Sequence, residues 1–442
     1  MGKISKMVLI AGAALSVASP VLAQNADQTR AYAAELKSDA AGRSSLQGSG
    51  GAQGLTITDG TGNFSLRVGA LLQFRYTANF RSDGTNVDIP APNFISSDDD
   101  FTHGFSRPRT TLRFSGNAGA PELSYYIQGN FDENQASFNL EDAYAAWTWD
   151  NGFSAIFGQW KVPVVKEWAM DEGRMLSASR SVVGTYFGQG ITGRTQGILG
   201  AYKTDSFRLG VSFNDGANTA NTQYNSPGEA DFALTGRADV KLAGDWSQAD
   251  EFSSFRNRDF AAFIGGGIHW QESGSTGDGN DAVPAPGAAS TSPSTLIYTL
   301  DAQVAGSGWG AYAAFIGRNS DLDTPGQDDI DDYGIMLQGS VFLADQWELF
   351  GRWDWLMFDK NNNNFVVAPD ELDPDDLHYL TFGVNYFVFP ESQVAKLTLD
   401  VVIGLNESYQ IFRGPASGNF TGNGAVAAGN AGPDLGVLGD ID

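Results

Sequence analysis

From Phe64 to Phe80 apolar and polar side chains alternate without a break. One face carries Phe64, Leu66, Val68, Ala70, Leu72, Phe74, Tyr76, Ala78 and Phe80. The other carries Ser65, Arg67, Gly69, Leu71, Gln73, Arg75, Thr77 and Asn79, of which only Leu71 is strongly apolar. Successive side chains of a strand point to opposite faces, so the segment predicts a strand greasy on one side and wet on the other. A membrane-spanning barrel strand has this pattern, and so does a long strand in a soluble sandwich.

Strand-like runs recur at 64–80, 104–116, 122–132, 138–149, 153–161, 190–203, 206–214, 230–242, 259–271, 295–306, 309–318, 333–343, 347–358, 378–389 and 394–406. Their connections alternate in length: 81–103 is long and 117–121 short, 150–152 is a turn and 162–189 very long, 344–346 is a turn and 359–377 long. Two connections break the rule, 133–137 being short on the long-loop side and 243–258 long on the turn side. Long loops at one end and tight turns at the other are an outer-membrane barrel's habit, and a sandwich has no reason for them. The expected fold is all-β, a transmembrane antiparallel up-and-down barrel of about sixteen strands, fifteen of them visible.

Met1 to Ala23 carries Lys3 and Lys6, the apolar run Met7 to Val17 and a Val21-Leu22-Ala23 triplet, the layout of a secretory leader. No other stretch approaches the uninterrupted apolar length of a membrane helix. Asn25 to Lys37 predicts a short periplasmic helix and Gly48 to Gly62 a Gly/Ser-rich linker. The expected division is thus leader 1–23, helix and linker 24–62, barrel 63–406, and a loop or extension 407–442. Fifteen strands are an odd number, and bacterial single-chain barrels use even ones. The sequence therefore suggests a chain stopping before its last strand, or one in which Tyr409 to Arg413 forms a short substitute.

The chain has no cysteine, which excludes disulfides and thiolate metal sites, and a formal charge of −25. Removing Lys3 and Lys6 with the leader leaves −27, so nucleic acid is excluded as a partner. The acids gather in the long connections 81–103, 215–229, 272–294, 319–332 and 359–377, where Arg81 and Lys360 are the only opposing cations. Cations instead ride the polar phase of the strands: Arg67 and Arg75, then Arg107, Arg109 and Arg113 sharing one face, then Arg208, Arg237, Lys241, Arg318 and Arg352. A cation on the lipid face costs roughly 2–4 kcal/mol at the midplane, so these side chains are expected inside. They either line a path for anions or pair with interior acids such as Asp239, Asp354 and Glu348.

The connection Val162 to Gln189 is too apolar for a solvated loop and is expected to fold into the barrel and narrow it, with packing outside against a second subunit as the alternative. Lys166, Arg174 and Arg180 would then face permeating ions, tempered by Glu167, Asp171 and Glu172, since charged rings at a constriction select by sign.

The runs LEDAYAAWTWDNGFSAIFGQWKVPV (Leu140 to Val164), FSRPRTTLRFSG (Phe105 to Gly116) and NYFVFPESQVAKLTLDVV (Asn385 to Val402) resemble the phosphate-selective porin O and P family of bacterial outer membranes. The resemblance spans about residues 60 to 406. It implies a sixteen-stranded, usually trimeric barrel whose lumen carries a file of basic residues conducting phosphate or other anions. The lumen-cation role carries over to Arg67, Arg75, Arg107, Arg109 and Arg113 by strand position. The dense basic run of the family's phosphate specialists is missing, which puts phosphate preference itself in question.

No catalytic pattern accompanies the three histidines His103, His269 and His378, so no enzyme and no cofactor is expected. Asp359 to Asp370 has EF-hand-like spacing, but Asn364 stands where that loop needs Gly and Asp370 where it needs Glu; it reads as a solvated loop, and no metal is expected. The runner-up is a structural or adhesive barrel whose acidic loops bridge cations at the cell surface.

Overall fold

The computed structural model describes residues 10–17, 55–59, 61–80, 101–131, 137–224, 226, 229–272, 294–321, 329–359 and 376–405. All fifteen expected strands are present: β3 (Ser65–Phe80), β4 (Phe101–Asn117), β5 (Leu123–Phe131), β6 (Phe138–Thr148), β7 (Phe153–Lys161), β8 (Arg194–Lys203), β9 (Phe207–Asn214), β10 (Phe232–Ala243), β11 (Ala261–Glu272), β12 (Ser294–Gly306), β13 (Trp309–Asp321), β14 (Ile330–Ala344), β15 (Trp347–Met357), β16 (Leu377–Phe387) and β17 (Ala395–Gly404). Each pairs antiparallel with its neighbour in the chain. Two shorter strands precede them, β1 (Ile10–Val17) and β2 (Leu55–Thr58).

β1 runs antiparallel to both β17, from Ile10↔Val402 to Val17↔Ala395, and β3, from Ala11↔Ala78 to Ser16↔Gln73. It completes a sixteen-stranded ring, and it comes from the apolar run read as the leader's core. β2 pairs with β3 at Leu55↔Val68 to Thr58↔Ser65, where a linker was expected. The expected helix at Asn25 to Lys37 and the tail 407–442 lie outside the described residues.

The dyad pattern sorts the two faces. Leu72, Phe74, Ile198, Phe213, Leu300 and Phe382 point outward and are exposed, as suits side chains whose solvent is hydrocarbon. Inward positions such as Gln73, Arg75, Gln128, Thr235, Asp301 and Thr381 are polar and buried. Among the described residues no helix is long and apolar enough to cross a membrane, which says nothing about crossing by strands.

Tight turns close one end. At Asp150-Asn151-Gly152 the backbone of Gly152 takes φ +89°, and a side chain there would stand 2.4 Å from the Lys203 carbonyl oxygen, so glycine is required twice over. At the other end the connection after β7 turns inward and packs on the inner wall. It contains α1 (Lys166–Ala169), a single 3-10 turn at Glu172–Arg174 and a π-helical run at Gly184–Thr192. That run ends at Gly193, φ +54°, which is why β8 starts at Arg194 rather than at 190 as expected. Val162, Val164, Val183, Tyr186 and Phe187 pack on inward-facing Ile297, Tyr312, Ile316, Met336 and Leu356. Each such fully buried side chain contributes about 1.5–3 kcal/mol by leaving water.

The long turn-side connection after β10 also folds inward. It carries α2 (Trp246–Ala249), whose Asp245 and Gln248 form a reciprocal capping box. Phe255 then packs tilted against Phe342 and edge-on against Phe387, while Phe252 lies 4.9 Å from the Tyr312 ring. Its apolar residues explain its length: it is a plug, and a solvated turn would carry none of them.

Candidate functional site: the lumen constriction

The inward connection is gripped by the wall along its whole central stretch. Asn385 Nδ2 donates to the Leu176 carbonyl (2.9 Å), Asp400 accepts from the Ala178 amide (2.8 Å), and Lys396 Nζ donates to the Met175 carbonyl. From the other side Gln73, Arg75 and Arg109 all donate to the Ala178 carbonyl, at 2.7, 3.0 and 3.2 Å. Arg352 reaches the carbonyls of Ser179 and Arg180. The exterior alternative for this connection is thereby excluded.

Glu172 is the electrostatic hub. Lys161 Nζ stands 2.7 Å from its carboxylate, Arg113 lies 3.8 Å away, and Arg180 donates directly to it. Burial opposes ionisation of Glu172, but Lys161, Arg180, Arg109 and Arg113 outweigh it and hold the carboxyl well below its ordinary range. Beneath the hub the Trp168 ring is faced by Arg180 (4.6 Å), Lys161 (4.7 Å) and Arg194 (5.4 Å), close enough for cation–π attraction. Arg194 also pairs with Asp142 (3.2 Å) and Glu141 (3.4 Å).

Of the expected lumen cations, Arg75, Arg109 and Arg113 meet at this level. Arg113 pairs with Asp171 at 2.6 Å. Arg67 lies toward the turn side, its Nε 3.4 Å from Thr56 Oγ1. Arg107 does not share the face of Arg109 and Arg113. Gln73 pairs with Arg109 but Arg75 pairs with Ser106, so β4 carries one extra residue there. This bulge, at Arg107 and Pro108, shifts the phase. Ser106 keeps the inward side, while Arg107 falls with outward Phe105, which stacks on Phe74, and is exposed.

The remaining expected cations are in ion pairs. Arg237 binds Asp239 (2.6 Å) and Asp301 (2.8 Å), Arg318 binds Asp332 (3.0 Å), Lys241 binds Asp205 (3.0 Å), Arg208 binds Asp250 (3.1 Å), and Arg352 binds Asp354 (2.9 Å). Glu348 differs from the expected pairing and accepts instead from Ser253 and Asn385. Within the inward connection Arg174 lies 3.9 Å from Glu251 of the turn-side plug. Arg180 is buried against the Glu167, Trp168 and Met170 carbonyls rather than facing solutes. Lys166 is buried too, 5.7 Å from the rings of Phe263 and Tyr312; burial, partly offset by Asp301 and Asp239, pushes its ammonium down to about 8.

Sequence reasoning did not single out Lys161, although it sits in the Gly158-Gln159-Trp160-Lys161-Val162-Pro163 run that opens the inward connection. That position was the available signal. Asp400, Lys396 and Arg194 carry no local mark, since their partners come from distant strands. Among the described residues no cluster of carboxylates and histidines could hold a metal ion.

A sixteen-strand barrel with an apolar outer band and an inward constriction defines a porin, a passive diffusion channel of the bacterial outer membrane. The family model for phosphate-selective porin O and P matches residues 74–239, the stretch holding β4 to β9, the constriction and its arginines. No curated protein matches. Solved structures similar to this chain include the loop L8 deletion mutant of OmpT, an outer membrane protein of Vibrio cholerae (12% identity, 77% of this chain and 99% of that one, TM-score 0.46). Others are the outer membrane channel DcaP of Acinetobacter baumannii (12%, 79% and 99%, 0.45) and OprB of Pseudomonas putida (9%, 90% and 93%, 0.37).

Proposed function

We propose that this porin conducts small anions, phosphate among them, past the constriction formed by residues 162–193. The observation that carries the reading is the convergence of Arg109, Arg113, Lys161 and Arg180 on Glu172, with Asp171 on Arg113 the second acid, so that four cations face two carboxylates. A positive excess confined where the lumen is narrowest selects by sign, because an ion there sheds water and answers to the fixed charges. Arg237, Arg318 and Lys241 pair with acids of the wall and its turns and are read as cohesion, while Arg67, Arg75, Arg109 and Arg113, the last paired with Asp171 of the inward connection, are read as the anion path. A homotrimer is implied by the family resemblance, as are contacts of the outward band with outer-membrane lipids. The leader 1–23 is proposed to be removed on export, with 24–62 periplasmic, 63–406 forming the barrel and 407–442 an extension; cleavage after Ala23 would take β1 away, and β3 to β17 would then need another closing strand. Inserted into planar bilayers, the purified protein is expected to give discrete conductance steps that phosphate salts sustain. Insertion without steps would support the structural barrel with cation-bridging loops instead.

A further inference from the structure

Leu71, the apolar residue out of place on its polar strand face, points into the lumen with Gln73 and Arg75. It borders the constriction: a side chain on Gly173 would stand 3.6 Å from Leu71 Cδ1. Further along the same wall, Tyr126 of β5 and Tyr144 of β6 form a directly opposed cross-strand pair with rings stacked 5.3 Å apart at 24°. Neither ring is fully buried, and nor is Leu71. The Tyr126 hydroxyl donates to Gln128 Oε1 (2.7 Å), and the same oxygen accepts from Arg113 Nε (2.9 Å), so aromatic surface and cation are fixed together.

Negative charge is fixed at the same level. Gln128 Nε2 donates to Glu141 Oε2 (2.6 Å), and Asp171 sits on Arg113. Beside the two rings Arg113 faces two carboxylates, so charge alone gives a multiply charged anion no advantage over a singly charged one there. Inorganic phosphate also gains nothing from Leu71 and two tyrosine rings, whereas an apolar body does. We propose that the preferred cargo is a ring-bearing monocarboxylate, its ring sliding over Tyr126, Tyr144 and Leu71 while its carboxylate passes Arg113. The proposal rests on the anion-conducting reading above.

Bi-ionic potentials with potassium chloride, benzoate and phosphate test it on the full-length porin. The expected benzoate-to-phosphate permeability ratio exceeds one. It falls about three- to ten-fold in the Tyr126→Ala, Tyr144→Ala double variant, as loss of aromatic contact implies. Leu71→Asn, which leaves the tyrosines in place, is expected to lower the same ratio should the double variant fail to insert. A chloride-preferring channel that passes benzoate no better than phosphate, or variants that leave the ratio unchanged, would overturn this inference alone. A channel preferring potassium to chloride would overturn the anion reading and this inference with it.

Discussion

Gln73 of β3 and Asp400 of β17 hold one residue from two sides: Gln73 Nε2 donates to the Ala178 carbonyl at 2.7 Å, and the Ala178 amide donates to Asp400 Oδ2 at 2.8 Å. The constriction is thereby tied to both strands that flank β1, so its position and the barrel's closure are set together. Asp400→Ala leaves the buried Ala178 amide and the Ser177 hydroxyl without their acceptor, at about 1–3 kcal/mol. The variant is expected to lower the urea midpoint of unfolding and to make single-channel current noisier. A silent variant would mean the grip from β3 and β4 suffices.

The bulge in β4 separates three arginines that the sequence puts together. Arg109→Gln and Arg113→Gln are each expected to lower anion-over-cation permeability, because both side chains reach the constriction. Arg107→Gln should leave it unchanged. Equal effects from all three in reversal-potential measurements would contradict the bulged register.

Glu172→Gln removes the one carboxylate on which four cations converge and should raise anion preference. The native carboxyl ionises well below its ordinary value of 4.5, so its contribution is present above that value and is lost only as pH falls through the depressed one. Selectivity of the unaltered protein is therefore expected to stay flat between pH 7 and pH 5. A titration centred near 4.5 would mean the cations do not act on Glu172 as their distances imply.

How much of this was legible follows from which constraints are local. The strands were, since a wall between hydrocarbon and water imposes a two-residue period that Phe64 to Phe80 shows without help from the rest of the chain. The inward fold of 162–193 was legible too, because Val162, Trp168 and Phe187 have no place in a solvated loop. The phase of Arg107 was not: one inserted residue at Arg107-Pro108 leaves composition untouched but changes the face. Nor was the pairing of Arg318 with Asp332 or Arg208 with Asp250, where each partner is supplied by register or by a plug from another connection. The turn-side plug showed in the sequence only as an overlong connection at 243–258, and its Trp246, Phe252 and Phe255 were not singled out.

Lys166 supplies a pH dependence of the opposite kind. Its ammonium releases its proton near 8 in the folded protein and at 10.5 in the unfolded chain, so the unfolded state holds more protons between those values and stability rises with pH across that window. Lys166→Met is expected to fold at least as stably at pH 7 and to make the rise shallower, since a desolvated cation between two rings is replaced by an apolar chain. Urea midpoints measured from pH 7 to 10 check this. An unchanged slope in the variant would contradict it.

Phe252→Ala tests the turn-side plug. Losing a buried Phe costs about 3–5 kcal/mol in a packed core, and Phe252 is 5% exposed against Tyr312. The variant is expected to be less heat-stable and to conduct more, as the plug detaches from the constriction. Lower stability at unchanged conductance would place the plug outside the solute's path.

The sign of the zero-current potential across a bilayer separating concentrated from dilute potassium chloride tests the central claim most directly. The cations gathered around Glu172 predict the sign set by chloride moving down its gradient, retained between pH 5 and pH 7. The sign set by potassium would contradict an anion-selective constriction.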